Sequence, residues 1–220
     1  MSIFCVIPAL NEEKTIGRVL SEVKEFVDVM VVVSDGSTDQ TADIAERAGA
    51  VVLSHPVNRG QGAALETGDE YARGRGADIV VHFDADGQFL ASEIPEVTAP
   101  IERGEADAVF GSRFSGKSNR IPFMKRVAII PIARLVNRLF FGLNMKDPQS
   151  GFRALSKKAL AKIRIEQSGM AHCSEILHRA ARSELRIKEV PISVHYPDFG
   201  QNFLGGVRIV KDTIIGKLMD

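Results

Sequence analysis

The chain has 220 residues, with 28 basic and 28 acidic side chains and a formal net charge of zero. Apolar residues at 45% and charged residues at 25% describe an ordinary globular protein and exclude a disordered one. A balanced charge gives no bulk attraction to nucleic acid, so none is expected as a partner.

The start, Ser2-Ile3-Phe4-Cys5-Val6-Ile7, lacks a basic leader and predicts no signal peptide. Residues 3–8 form a short continuous apolar run, the pattern of a strand buried on both faces. Residues 14–26 follow with Ile16, Val19, Leu20, Val23 and Phe26 at helical spacing. The alternation continues with strands over 29–33, 51–54, 79–83 and 108–112 and helices over 38–48, 62–72 and 92–103. Strands alternating with helices of this length predict an α/β fold: a Rossmann-like, mostly parallel central sheet flanked by helices. In such sheets ligands bind outside the carboxyl ends of the strands.

The rest is less regular. Residues 122–142 read as a helix kinked at Pro131, 147–151 as a turn, 157–163 and 173–182 as helices, 187–196 as a strand and 207–218 as a terminal helix. No repeat or linker interrupts the chain, so 1–220 reads as one domain with halves at 1–114 and 115–220. Cys5 and Cys173 sit among apolar or small residues and read as buried free thiols. The longest apolar runs, 3–10 and 127–133, are eight and seven residues. A spanning helix needs about 20. The expectation is therefore a cytoplasmic protein that does not cross a membrane.

The strand ends carry the chemistry. Asp84 and Asp86 flank one alanine, and two carboxylates this close repel unless a cation sits between them. Gln88 adds a third oxygen, and oxygen-only donors suit Mg²⁺ or Mn²⁺ rather than zinc. A solvated acidic loop is the alternative. Asp35 lies at the end of the second strand, placed to accept hydrogen bonds from a nucleoside, while Ser37, Thr38 and Asp39 suit the start of the next helix. Asn11-Glu12-Glu13 suits the first helix in the same way, with Glu12 a ligand contact or only a first-turn carboxylate. Asn58–Gly62 reads as a phosphate seat at the third helix or as a plain turn. The histidines show no zinc spacing, and the pair His172-Cys173 has no evident third partner.

The zero net charge conceals a division. From Arg113 to Lys146 the chain carries Arg113, Lys117, Arg120, Lys125, Arg126, Arg134, Arg138 and Lys146 and no acidic residue. Arg134 and Arg138 are one helical turn apart among Ile129, Ile132, Leu135, Leu139 and Phe140. Such a helix suits a membrane interface, or a core from which arginines snorkel.

Taken in order, Val6-Ile7-Pro8-Ala9-Leu10-Asn11-Glu12-Glu13, Ser34-Asp35-Gly36-Ser37-Thr38-Asp39, Asp84-Ala85-Asp86-Gly87-Gln88, Gly111-Ser112-Arg113 and Asp147-Pro148-Gln149-Ser150-Gly151-Phe152 resemble the family 2 glycosyltransferases of GT-A fold. The resemblance is to the dolichol-phosphate mannose synthase and polyprenyl-phosphate glycosyltransferase type. It implies a nucleotide-sugar-binding half at 1–114 and an acceptor-binding half at 115–220. It implies that Pro8, Leu10, Glu12, Val33 and Asp35 line the nucleotide-sugar pocket. Asp84, Ala85 and Asp86 would meet the donor, and Asp84, Asp86 and Gln88 would hold Mg²⁺ or Mn²⁺. Arg113 would meet phosphate at the reaction centre, with Lys125 and Arg126 toward the lipid phosphate. The reaction implied is inverting transfer of a hexose from a nucleoside diphosphate (GDP-mannose or UDP-glucose type) to a polyprenyl phosphate. The enzyme would be peripheral on the cytoplasmic face of the membrane.

A phosphate acceptor is already an anion and needs no strong base. A hydroxyl acceptor would need one, with Asp147 or Glu175 as candidates. A non-catalytic sugar-nucleotide-binding module is the further alternative. It is motivated by Ser34, where relatives carry a second Asp, and by Asp198–Phe203, where many carry an Arg followed by Gly-Glu-Ser-Lys.

Overall fold

The computed structural model describes residues 1–114, 145–169 and 171–195. The first half runs β1 (Ile3–Ala9), α1 (Ile16–Val23), β2 (Val29–Asp35), α2 (Thr41–Arg47), β3 (Val51–His55), α3 (Gln61–Gly74) and β4 (Ile79–His82). A 3-10 turn (Ala91–Glu93) then leads into α4 (Ile94–Glu102) and β5 (Ala108–Ser112). After these come β6 (Arg153–Ser156), α5 (Lys157–Lys162), α6 (His172–Arg182) and β7 (Ile187–Pro191). The predicted helix over 122–142 with Lys125 and Arg126, the segment 198–203 and the terminal helix over 207–218 lie outside the described residues.

The strands form one mixed sheet in the order β3-β2-β1-β4-β6-β5-β7. The first four strands in this order pair parallel. β6 is antiparallel to both β4 and β5, and β7 is parallel to β5. The elements of the first half stand where the apolar periodicity puts them. β6 is a strand the periodicity does not announce: it is four residues long and opens on a charged Arg153. The strand predicted over 187–196 ends at Pro191, and beyond it Val194 makes an isolated bridge to Phe89.

Period-two alternation builds two cores. Cys5, Ile7, Met30, Val32, Ile79, Val81 and Val109 face α1, α2 and α4. Phe4, Val6, Val31, Val80, Phe110 and Leu155 face α3, α5 and α6. Each such side chain contributes roughly 1.5–3 kcal/mol on burial, so β1, apolar on both faces, ties the layers together. α3 lies close on β1 because Gly68 leaves no side chain between them; a Cβ there would come within 2.3 Å of Val6 Cγ1.

The antiparallel strand matters for the site. The parallel strands β1, β2, β4 and β5 all end at one edge of the sheet. β6 runs the other way, so it begins at that edge. The turn before it, Asp147–Gly151, therefore joins the strand ends that carry Asp35, Asp84 and Arg113. Among the described residues no helix is long and apolar enough to cross a membrane.

Candidate active site

The loops after β1 and β2 cap one another. Ser37 Oγ, Thr41 Oγ1 and Asp39 Oδ2 accept the backbone N–H groups of Asn11, Glu12 and Glu13 at 3.1, 2.8 and 3.1 Å. In return Asn11 Oδ1 accepts the N–H of Thr38, and Glu13 Oε2 that of Gln40. The capping side chains thus serve mainly the neighbouring loop. Asn11 adopts φ 56°, a left-handed conformation that asparagine tolerates. Glu12 is held by Thr15 Oγ1 at 2.7 Å. Leu10 is 40% exposed at this edge, whereas Val33 is fully buried. Pro8 is the register neighbour of Val33, and Ala85 is likewise buried.

Asp35 is almost fully buried. His55 Nδ1 lies 2.6 Å from its Oδ1, and the backbone N–H groups of Arg59 and Gly60 donate to its two oxygens at 2.9 and 2.7 Å. His55 Nε2 in turn meets Thr67 Oγ1 at 2.9 Å. Asp35 therefore anchors the loop that enters α3. The same bonds bear on Asn58–Gly62, which the sequence leaves open between a phosphate seat and a plain turn. The amides of Arg59 and Gly60 are engaged by Asp35, and that of Gly62 donates to Ser168 O at 3.0 Å. Those three donors are committed within the protein.

Asp84 and Asp86 stand at the end of β4. Gln61 Nε2 donates to Asp84 Oδ1 at 2.9 Å, and the backbone N–H of Gln88 donates to Asp86 Oδ1 at 2.9 Å. Burial first, and then the charge of Asp86, push the Asp84 carboxyl up to about 6, against the pull of Arg153, His172 and Arg113. Asp86 is also raised, chiefly by burial. Two carboxylates that resist ionisation side by side are what a divalent cation relieves. With Gln88 in the same loop the donors are all oxygen, which fits Mg²⁺ or Mn²⁺. Among the described residues no group of three or more His, Cys, Asp or Glu side chains surrounds one point. A cation held at Asp84 and Asp86 would therefore take its further oxygens from substrate or water.

Arg113 follows β5. Its Nε and Nη2 donate to Asp147 Oδ2 and Oδ1, both at 2.6 Å, and its backbone N–H to Oδ2 at 3.0 Å. Asp147 is 1% exposed and its own N–H donates to Glu189. Both oxygens of Asp147, one of the two candidate bases, are thus engaged by Arg113. Glu175, the other candidate, accepts the amides of Glu166 and Gln167 and pairs with Arg179.

The His172-Cys173 pair has a third member that the sequence does not mark. Arg153, fully buried at the start of β6, donates from Nη2 to Cys173 Sγ at 3.3 Å, and His172 Nε2 lies 3.4 Å from the same sulfur. Burial would push this thiol up, but the charges of Arg153 and His172 bring it down to about 7. No apolar periodicity signals a guanidinium inside the sheet.

The comparisons with known proteins agree with this geometry. A family model described as "Glycosyl transferase family 2" matches residues 4–164. The UDP-N-acetylglucosamine–dolichyl-phosphate N-acetylglucosaminyltransferase of Methanococcus voltae is 33% identical over 99% of this chain and 98% of its own. The undecaprenyl-phosphate mannosyltransferase of Micrococcus luteus is 31% identical over 98% of this chain and 92% of its own. Among solved structures, glucosyl-3-phosphoglycerate synthase from Mycobacterium tuberculosis in complex with Mn²⁺ and UDP-glucose superposes with a TM-score of 0.75 at 25% identity. That match covers 98% of this chain and 78% of that one, and the sheet is of the GT-A kind. With carboxylates, arginine and sheet order in place, the chain belongs to glycosyl transferase family 2 and is a glycosyltransferase.

Proposed function

We propose that the protein transfers a hexose from a nucleoside-diphosphate sugar to a polyprenyl phosphate, with inversion, at the cytoplasmic face of a membrane. One observation carries the choice of acceptor: the two candidate bases, Asp147 and Glu175, are engaged by Arg113 and by backbone amides. An acceptor phosphate oxygen needs no proton removed. The relatives named for dolichyl-phosphate and undecaprenyl-phosphate transfer support the same reading. So does the run of basic and apolar residues from Arg113 to Lys146.

Asp84 and Asp86, with Gln88, would hold a divalent cation. When bound, the cation would supply positive charge to the donor diphosphate. The protein's own contribution is positional. Asp35, Leu10 and Glu12 surround the nucleoside end. Arg113, aimed by Asp147, supplies a fixed guanidinium where negative charge collects as the sugar leaves. An oxygen of the acceptor phosphate attacks the anomeric carbon from the side opposite the diphosphate. The new carbon–oxygen bond forms as the old one breaks, its electron pair leaves with the nucleoside diphosphate, and no proton moves. Lys125 and Arg126 would meet the acceptor's headgroup, and the basic stretch would rest at the membrane surface.

The test is incubation with Mg²⁺ or Mn²⁺, a labelled panel of nucleotide sugars and polyprenyl phosphate in detergent or vesicles. Label is expected in the lipid with one donor. If every common donor fails to label the lipid while the protein still binds a nucleoside diphosphate, the acceptor assignment falls. A second reading, transfer to a small soluble acceptor, is favoured by the neighbouring glucosyl-3-phosphoglycerate synthase. It predicts product without lipid.

A further inference from the structure

Gln61 joins two parts of the site that lie on different strands. It is the first residue of α3, and its backbone is fixed from both sides. Before it, the amides of Arg59 and Gly60 are tied to Asp35 at the end of β2. After it, the amide of Gly62 is tied to Ser168 O. The loop over 166–168 presses on this turn so closely that side chains are excluded. A Cβ at Gly60 would come within 2.4 Å of Ser168 O, and one at Gly62 within 2.0 Å of Gln167 O. That loop is itself held by Glu175 through the amides of Glu166 and Gln167. Between two glycines that cannot be replaced, Gln61 sends its Nε2–H to Asp84 Oδ1 at 2.9 Å.

Asp84 is confined from the other side as well. Gly151, in the turn before β6, leaves no room for a side chain: a Cβ there would lie 2.5 Å from Asp84 Oδ2. The carboxylate is held between an amide donor and a bare backbone, so its orientation is set before any ligand arrives. Consecutive residues 59, 60 and 61 therefore connect the carboxylate at the end of β2 to the carboxylate at the end of β4.

We propose that Gln61 is a positioning residue: it holds Asp84 in its cation-binding orientation and, through Arg59 and Gly60, couples that carboxylate to the nucleoside end of the site. The inference rests on the reading of Asp84 and Asp86 as cation ligands. A side chain that only filled space could be replaced by another of the same length. A donor to Asp84 could not.

The test compares wild type with Gln61→Met and Gln61→Leu, which keep the bulk and remove the donor, and with Asp84→Asn. Mn²⁺ binding is measured by electron paramagnetic resonance of the free ion, with and without UDP or GDP, alongside thermal unfolding. Both Gln61 variants should unfold within a few degrees of wild type and bind Mn²⁺ about tenfold more weakly. They should also lose most of the gain in Mn²⁺ affinity that nucleotide brings. If wild type binds Mn²⁺ and Asp84→Asn does not, while both Gln61 variants bind it as wild type does, the inference is overturned and the cation site stands. If wild type binds no Mn²⁺ even with nucleotide, the cation reading and this inference fall together. Loss of folding in one Gln61 variant leaves the decision to the other.

Discussion

Arg113 and Asp147 meet as two forks, Nε to Oδ2 and Nη2 to Oδ1, each at 2.6 Å. Two parallel bonds fix a plane as well as a distance, so the guanidinium cannot swivel. Asp147→Asn keeps the shape and removes the charge. Turnover should fall about a hundredfold with the donor KM little changed, because a displacement near 1 Å at the reacting centre costs that much. Arg113→Lys should behave alike, since an ammonium cannot form the fork. The shape of the pH–rate profile in Asp147→Asn separates the roles. It should match wild type, whereas loss of a general base would remove its acidic limb.

Asp84 carries a stability consequence. Its folded-state pKa of about 6 lies above the ordinary carboxylate value near 4. The folded protein then holds this proton more tightly than the unfolded chain does. The contribution is fully present below pH 4 and is lost as pH rises through 6. At pH 7.5 in chelator, Asp84→Asn should therefore be more stable than wild type, by ~1–3 kcal/mol, and should have no activity. Near pH 4 the advantage should disappear. Denaturant midpoints at the two pH values check this, and a less stable variant at pH 7.5 would refute it.

The approach of α3 to β1 depends on Gly68. Gly68→Ala should destabilise by ~1–3 kcal/mol, because the new methyl enters the space of Val6. Adding Val6→Ala should restore part of the loss, showing coupling between the two sites. Gly74, at the end of the same helix, has nothing within 4 Å of a built Cβ, and Gly74→Ala should leave stability unchanged or raise it slightly.

Glu175 is read as a clamp on the loop over 166–168. Glu175→Gln should lower stability by about 1 kcal/mol and leave turnover within a few-fold of wild type. A thousandfold loss of turnover at unchanged stability would instead restore Glu175 as a base.

The parallel part of the sheet is legible because its strands are runs of Val, Ile and Phe buried on both sides, as in Val29–Asp35. The acidic strand ends are legible because chemistry concentrates there. β6 is not, since Arg153-Ala154-Leu155-Ser156 has neither an apolar run nor alternation, and its arginine points into the interior. The loop chemistry is also hidden. Asn11 and Thr38, or Gln61 and Asp84, meet only after folding, and a capping residue looks the same whether it serves its own helix or its neighbour's. The pairing of Asp147 with Arg113 is hidden for the same reason: sequence shows the carboxylate but not the arginine that meets it.

The place of β6 also orders the assembly of the enzyme. β1 to β4 can pair as soon as residue 82 has emerged, since each finds its partner among the others. β5 has no such partner: among the described residues it pairs with β6 and β7, which begin at residues 153 and 187. A chain truncated near residue 150 would contain every acidic strand end and Arg113, yet would leave β5 detached from the sheet. The arginine thus joins the carboxylates only when the later part of the chain has threaded between them.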